Sequence, residues 1–177
     1  MTAKRIQLIV SDIDGVWTDG KIIYAGDTRE IKEFNVRDGL AVKLAQKVGL
    51  RVAVISSRKS KPVERRCREL GILEVVQGAE NKLTALRKIA DKMGVSLAEI
   101  CYVGDDLPDL GAIRAAGVSA APSDAAPEVL AAVSWKLSAP GGRGAFRELV
   151  EKLLRERGEW DKLVSEMHET RLSTPGS

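Results

Sequence analysis

Short apolar runs alternate with longer amphipathic stretches along most of the chain. The runs 6–10 (IQLIV), 51–56 (RVAVIS), 73–77 (LEVVQ), 99–104 (EICYVG) and 117–121 (GVSAA) have the length and β-branched content of strands. Between them the spacing predicts helices over 38–48, 60–70, 81–93 and 107–115, with Gly49, Gly71, Gly94 and Gly117 where helices should stop. The strands are apolar throughout rather than alternating, so they should be buried on both faces. The pattern predicts an α/β fold, a Rossmann-like doubly wound parallel sheet whose ligands bind at the carboxyl ends of the strands. One stretch departs from it. Residues 20–36 (GKIIYAGDTREIKEFNV) carry two β-rich segments around AGDT, which predicts a projecting β-hairpin. Its Ile22, Ile23, Tyr24, Ile31 and Phe34 have no evident partner in the sheet. Residues 143–167 read as helix with a break near Gly158, and 171–177 (RLSTPGS) as a disordered tail. The expected division is one domain over 1–157, then a C-terminal helix and tail over 158–177.

Composition changes this picture little. A chain of 177 residues, 44% hydrophobic and 30% charged, suits one domain with a full core. A net charge of +3 does not suggest a nucleic-acid partner. No apolar run approaches the roughly 20 residues that span a bilayer. The N-terminus leads straight into the first strand without a signal-peptide core, so no membrane partner and a cytoplasmic location are expected. Cys67 and Cys101 are isolated, as packing thiols in a reducing compartment would be.

The chemistry gathers at the strand ends. The first strand ends in Asp12 and Asp14, and the second in Ser56, Ser57, Arg58 and Lys59. The run after the third leads to Asn81 and Lys82, and the fourth ends in Gly104, Asp105 and Asp106 with Asp109 a turn later. In a parallel sheet these ends share one edge, and the combination suits phosphoryl transfer. A carboxylate attacks phosphorus to form an aspartyl-phosphate. Asp12 and Asp105 would hold Mg²⁺ beside the phosphate. Lys82 and Ser56 would hold phosphate oxygens. Asp14, two residues after Asp12 on an extended chain, points the same way and would protonate the leaving oxygen and later activate water. Arg37, Arg58, Lys59 and Arg143 exceed what one phosphate needs and suit a second anion, a carboxylate. Blander readings exist: Asp105 and Asp106 as caps of the helix beginning at Leu107, Asp109 as a loop-bonding residue, and the cations as solvated charges. A receiver domain of two-component signalling also combines acids, a hydroxyl and a lysine. Its phospho-accepting Asp would end the third strand, where this chain has Gln77 and Gly78.

DIDGVWTDG (12–20), Ser56, Lys82 and GDDLPD (104–109) resemble, in order, the four motifs of the haloacid dehalogenase superfamily. FNVRDG (34–39), SRKS (57–60), the QG…NK run (77–82) and GGRGA (141–145) resemble its capless branch of sugar-acid phosphatases, and the likeness covers about residues 6–150. Members often have Thr-Gly where this chain has Ser56-Ser57, and the serine hydroxyl can serve equally. Trp17 occurs also in relatives acting on nine-carbon sugars, whereas those tend to carry Glu at the position of Arg58. The resemblance implies catalysis by Asp12, Asp14, Ser56 and Lys82, metal ligation by Asp12, Asp14 and Asp105, and substrate contacts from Arg37, Arg58, Lys59, Gly142 and Arg143. It implies an eight-carbon sugar-acid phosphate of lipopolysaccharide synthesis as substrate. A catalytically silent oligomerisation module is the other use of this scaffold, but all the catalytic residues are present. The intervals between motifs leave no room for a cap domain. The resemblance therefore implies a homotetramer in which hairpins pack together and neighbours complete each site. GGRGA (141–145), glycine-rich and basic, reads as a mobile tail able to reach a phosphate or carboxylate.

Overall fold

The computed structural model describes residues 3–27 and 29–172, with side chains through Met167. In chain order the elements are β1 (Leu8–Ser11), β2 (Ile23–Ala25), β3 (Arg29–Ile31), α1 (Val36–Lys47), β4 (Arg51–Ser56), α2 (Lys61–Leu70), β5 (Glu74–Gln77), α3 (Lys82–Met93), β6 (Ile100–Val103), α4 (Leu110–Ala115), β7 (Val118–Ala121), α5 (Pro127–Ala132), β8 (Trp135–Lys136), α6 (Ala145–Arg157) and α7 (Trp160–Leu172). Six strands form one sheet in the order β5-β4-β1-β6-β7-β8, all neighbours parallel, and β2 pairs with β3 in a separate hairpin. Renumbered along the chain without the hairpin, the sheet reads 3-2-1-4-5-6, the doubly wound order. A receiver-type sheet would run 2-1-3-4-5, so topology as well as motif order excludes that rival. The strand order reverses between β1 and β6, which places the ligand crevice at their carboxyl ends.

The strands are apolar throughout because both faces are covered. Ile9, Val52, Val54, Cys101 and Val103 pack in one cluster with residues of α1, α2, α6 and α7. Leu8, Val10, Ala53, Ile55 and Tyr102 face the other way, against Leu86 and Ile89 of α3, Ile113 of α4 and Val129 of α5. Asn35 caps α1 by accepting from the Arg37 amide at 2.9 Å, and Asn81 caps α3 by accepting from the Thr84 amide at 2.9 Å. Cys67 and Cys101 are free and buried, and burial pushes their thiols up to about 11 and about 12, as inert packing residues require. Among the described residues no helix is long and apolar enough to cross a membrane.

Several boundaries shift for physical reasons. Leu73 is 90% exposed, so the third strand begins at Glu74. Leu107–Asp109 is a tight 3₁₀ turn before α4. The hairpin is shorter than 20–36, and Phe34 lies outside it, half-buried against the main core. α5 and β8 are too short to show a period in sequence. Gly158, at φ +75°, separates α6 from α7, as the predicted break required. Trp160 and Leu163 of α7 nonetheless join the main cluster. Residues 171–172 end α7 rather than begin a tail, and the rest of that stretch, 173–177, lies outside the described residues.

Candidate active site

Asp12 leaves β1 with its amide bonded to the Val103 carbonyl of β6 at 2.9 Å, which seats it at the switch point. Its Oδ2 meets Lys82 Nζ at 2.8 Å, and the same ammonium meets Asp109 Oδ1 at 2.8 Å. Lys82 opens α3, and its side chain is only 4% exposed. Asp109 is fully buried, accepts from Tyr102 Oη at 2.6 Å, and takes the amides of Asp105 and Asp106 at 3.4 Å each. Asp12, Asp105 and Asp109 each offer a carboxylate oxygen, all within 4.8 Å of one another. Two glycines make this crowding possible. A Cβ on Gly15 would lie 1.9 Å from Asp105 Oδ2, and one on Gly104 would lie 2.3 Å from Asp109 Cγ. Gly15 also has φ +81°, which favours glycine.

Crowded carboxylates resist ionisation. Burial, then the charges of Asp12 and Asp109, push Asp105 up to about 8. Burial and the charge of Asp109 raise Asp12 to about 6 against the opposing pull of Lys82. Burial would lower Lys82, but the charges of Asp12 and Asp109 more than reverse it. Three carboxylates against one ammonium leave negative charge unmatched, in an oxygen-only donor set that fits a hard divalent cation. Asp109, which sequence left between loop bonding and metal, stands in the cluster and also fixes Lys82. The capping alternative holds for Asp106, whose Oδ1 accepts from the Leu107 amide at 2.8 Å.

A pocket of about 250 Å³ opens over this cluster, lined by Asp12, Asp14, Ser56, Arg58, Lys82 and Asp105 among others. Ser56 is 2% exposed, and its Oγ accepts from the Arg58 amide at 3.2 Å. Asp14 lines the pocket, but its carboxylate is not brought into the metal-type cluster. Lys32 pairs with its Oδ1, and Arg58 Nε lies 3.9 Å from its Oδ2. Arg58 Nη2 also donates to Glu30 at 2.7 Å.

The other expected substrate residues lie farther out. Lys59 is exposed and lines a neighbouring cleft of about 760 Å³ between the hairpin and α2. Arg37 is exposed in the first turn of α1 and is not among the residues lining the pocket. Gly142 and Arg143 do not line it either. GGRGA is a packed turn rather than a mobile tail: the Gly142 amide donates to the Val16 carbonyl at 3.0 Å, a Cβ on Gly141 would lie 2.0 Å from the Gly15 carbonyl oxygen, and α6 follows at once. Trp17 is 1% exposed, donates from Nε1 to Ser11 Oγ at 2.8 Å, and packs on Phe146 with ring centroids 5.0 Å apart. It faces the core, so it says nothing about the sugar. Sequence reasoning missed Glu30 and Lys32. The signal was present: in REIKE the charges at 30 and 32 share one face of an extended segment.

Fold and site together define a doubly wound α/β enzyme with a carboxylate–lysine centre at its switch point. Residues 34–117 match a family model described as haloacid dehalogenase-like hydrolase. The 3-deoxy-D-manno-octulosonate 8-phosphate phosphatase KdsC of Salmonella typhi is 39% identical over 160 residues, 90% of this chain and 85% of its own length. That of Haemophilus influenzae is 40% identical over 156 residues, 88% of this chain and 87% of its own. A crystal structure of the Moraxella catarrhalis phosphatase, in complex with magnesium ion, phosphate ion and KDO, matches with a TM-score of 0.91 at 38% identity, over 93% of this chain and 95% of that one. The chain belongs to the haloacid dehalogenase-like hydrolase family.

Proposed function

We propose that the chain hydrolyses 3-deoxy-D-manno-octulosonate 8-phosphate (KDO 8-phosphate) to the free sugar acid and phosphate. It is a phosphomonoesterase, and Mg²⁺ is its cofactor. The observation that carries the reading is Asp12, held by Lys82 at 2.8 Å and clustered with Asp105 and Asp109 under a pocket lined by Ser56 and Asp14. An Asp12 carboxylate oxygen attacks phosphorus, the bond from phosphorus to the sugar oxygen breaks, and Asp14 gives that oxygen a proton. Asp14, now a carboxylate, takes a proton from the water that attacks the aspartyl-phosphate, and Asp12 and phosphate are released. Lys82 and Ser56 hold the oxygens that do not react, while Asp109 and Tyr102 keep Lys82 in place. Asp12 and Asp105 are the residues that would hold Mg²⁺, whose charge offsets that of the phosphate.

Arg58, at the pocket rim, takes the substrate carboxylate at the end away from the phosphate, with Lys59, Arg37, Gly142 and Arg143 as the other residues proposed for that end. The assembly in this reading is a homotetramer joined through the hairpin. Its Ile22, Ile23, Tyr24 and Ile31 are 49%, 37%, 72% and 41% exposed in the single chain, which supports contact between copies. A place in cytoplasmic lipopolysaccharide precursor synthesis goes with the substrate. The test is Mg²⁺-dependent phosphate release from KDO 8-phosphate, a nine-carbon sialic-acid-type phosphate and neutral hexose phosphates. KDO 8-phosphate should have the highest kcat/KM. A preference for either other class would end the substrate assignment and leave the phosphatase chemistry standing.

A further inference from the structure

Lys32 is a buried cation that the reaction above does not use. Its side chain is 1% exposed, although it stands at the exit of an otherwise exposed hairpin. An ammonium is buried at high cost unless anions meet it. Here Asp14 Oδ1 is its ion-pair partner and Glu30 Oε1 lies 3.5 Å away. Glu30 accepts from Arg58 Nη2 at 2.7 Å and from Ser60 Oγ at 2.6 Å, and Arg58 Nε closes on Asp14 Oδ2 at 3.9 Å. The four charges form a ring of alternating sign: Asp14, Lys32, Glu30, Arg58. Glu30 and Lys32 come from one short extended piece of chain, which delivers both to the same side.

We propose that Lys32 is a positioning residue for Asp14. It fixes Oδ1, and thereby makes Oδ2 the oxygen that faces the reacting bond and carries the proton. The inference rests on the reading of Asp14 as the acid–base group. The arrangement serves both half-reactions. In the carboxylic acid, Oδ1 is the carbonyl oxygen and still accepts from the ammonium, while Oδ2–H gives its proton to the sugar oxygen as the phosphorus–oxygen bond breaks. In the carboxylate, Lys32 still donates to Oδ1, and Oδ2 takes a proton from the attacking water. Lys32 neither gains nor loses a proton in either step. A carboxylate held by one oxygen keeps its second in line without reorganising between steps. Glu30 plays the supporting part, since it holds the ammonium and the Arg58 guanidinium apart on fixed geometry.

The leaving group supplies the test. An alkoxide leaving from a sugar needs a proton, whereas nitrophenolate leaves without one. Lys32→Met keeps an unbranched side chain of similar length and removes the charge. Single-turnover release of the leaving group reads the first half-reaction alone. For KDO 8-phosphate it should slow by roughly 10- to 100-fold, part of the roughly 10²–10⁴ that a positioned acid supplies, with substrate affinity nearly unchanged. For nitrophenyl phosphate the loss should stay under about threefold. Lys32→Arg should recover part of the sugar-phosphate rate. Asp14→Asn should show the same split, and adding Lys32→Met to it should cost little more. Equal slowing of both substrates by Lys32→Met, while Asp14→Asn keeps the split, would reduce Lys32 to a structural ion pair. An Asp14→Asn enzyme that treats both substrates alike would instead remove the acid–base reading. Should Lys32→Met fail to fold, Glu30→Gln loosens Lys32 without removing it and should show the same split at smaller size in the single-turnover rate at saturating substrate, where weaker sugar binding through Arg58 no longer counts; its absence there would also overturn the proposal.

Discussion

The side chains of Asp12, Lys82 and Asp109 are 7%, 4% and 0% exposed, whereas those of Asp14, Glu30 and Arg58 on the hairpin side of the pocket are 23%, 14% and 36% exposed. The first group stands on a strand end, a helix start and the 3₁₀ turn before α4, the second partly on a hairpin that pairs with no strand of the main sheet. Depth sets what each can do. Charges in the buried trio interact through little water, so each fixes the others and the loss of one leaves an uncompensated neighbour. Charges at the rim are screened, and an incoming anion can compete for them at small cost. In the proposed reaction the nucleophile and its partners thus stand where geometry is rigid, and Arg58, proposed for recognition, stands where it is adaptable, with Asp14 at the border of the two. Lys32 stands between these regimes. It belongs to the hairpin segment, yet it is 1% exposed and reaches the Asp14 carboxylate.

The largest effect expected on this division is at Asp12. Asp12→Asn is nearly isosteric and should remain folded, but it removes the covalent route and should lower phosphate release by roughly 10³-fold or more. A purified, folded variant that kept most of its rate would break the assignment of the buried side as the reactive one.

The two sides also differ in how far sequence exposed them. β1, β4 and β6 were legible because burial on both faces leaves continuous apolar runs, and Asp12, Ser56, Lys82 and Asp105 follow from strand ends in a parallel sheet. The place of Asp109 was only half legible, because its partner Tyr102 reads in sequence as one more apolar strand residue. On the hairpin side Asp14, Arg58 and the hairpin itself were legible, but the ion pairs that join them were not. The Lys32–Asp14 and Arg58–Glu30 pairs join residues 18 and 28 positions apart, and no periodicity encodes how a hairpin folds back. Phe34 shows the same gap: grouped by sequence with the hairpin, it packs on the main core.

Ile23→Asp on the exposed hairpin face should leave the monomer folded and split the proposed tetramer, lowering turnover with it. Phe34→Asp should instead lower thermal stability, since it buries a charge against the core. Light scattering beside thermal melting separates the two. Equal behaviour of both variants would erase the distinction between hairpin face and core.

A smaller effect is expected at the rim. Arg58→Ala should raise KM for KDO 8-phosphate by roughly tenfold, as for a lost charge-assisted contact, and leave the KM of nitrophenyl phosphate almost unchanged. Loss of both substrates equally would move Arg58 from the carboxylate to the phosphate, and with it part of the rim into the reactive group.

The smallest effect sharpens the comparison by titration. Asp12 is raised to about 6 and Asp105 to about 8, from an ordinary aspartate value of 3.8. Between about pH 4 and 8 the folded protein therefore binds more protons at these groups than the unfolded chain, and metal-free stability should fall as pH rises through that window. Lys82 is raised from a value already above 10, so its contribution is constant there. Asp38 is also raised by burial and adds to the same slope, but it caps the start of α6, where its Oδ1 accepts from the Arg147 amide, and is not in the carboxylate cluster. Saturating Mg²⁺ replaces the protons at Asp12 and Asp105 alone and should flatten most of the fall, a change of a few degrees in Tm for a chain of this size. Asp105→Asn should flatten it without metal. A metal-free Tm that stays level or climbs from about pH 5 to 8 would mean that the buried carboxylates are not in conflict, and the contrast between an electrostatically loaded interior and a relaxed rim would lose its physical basis.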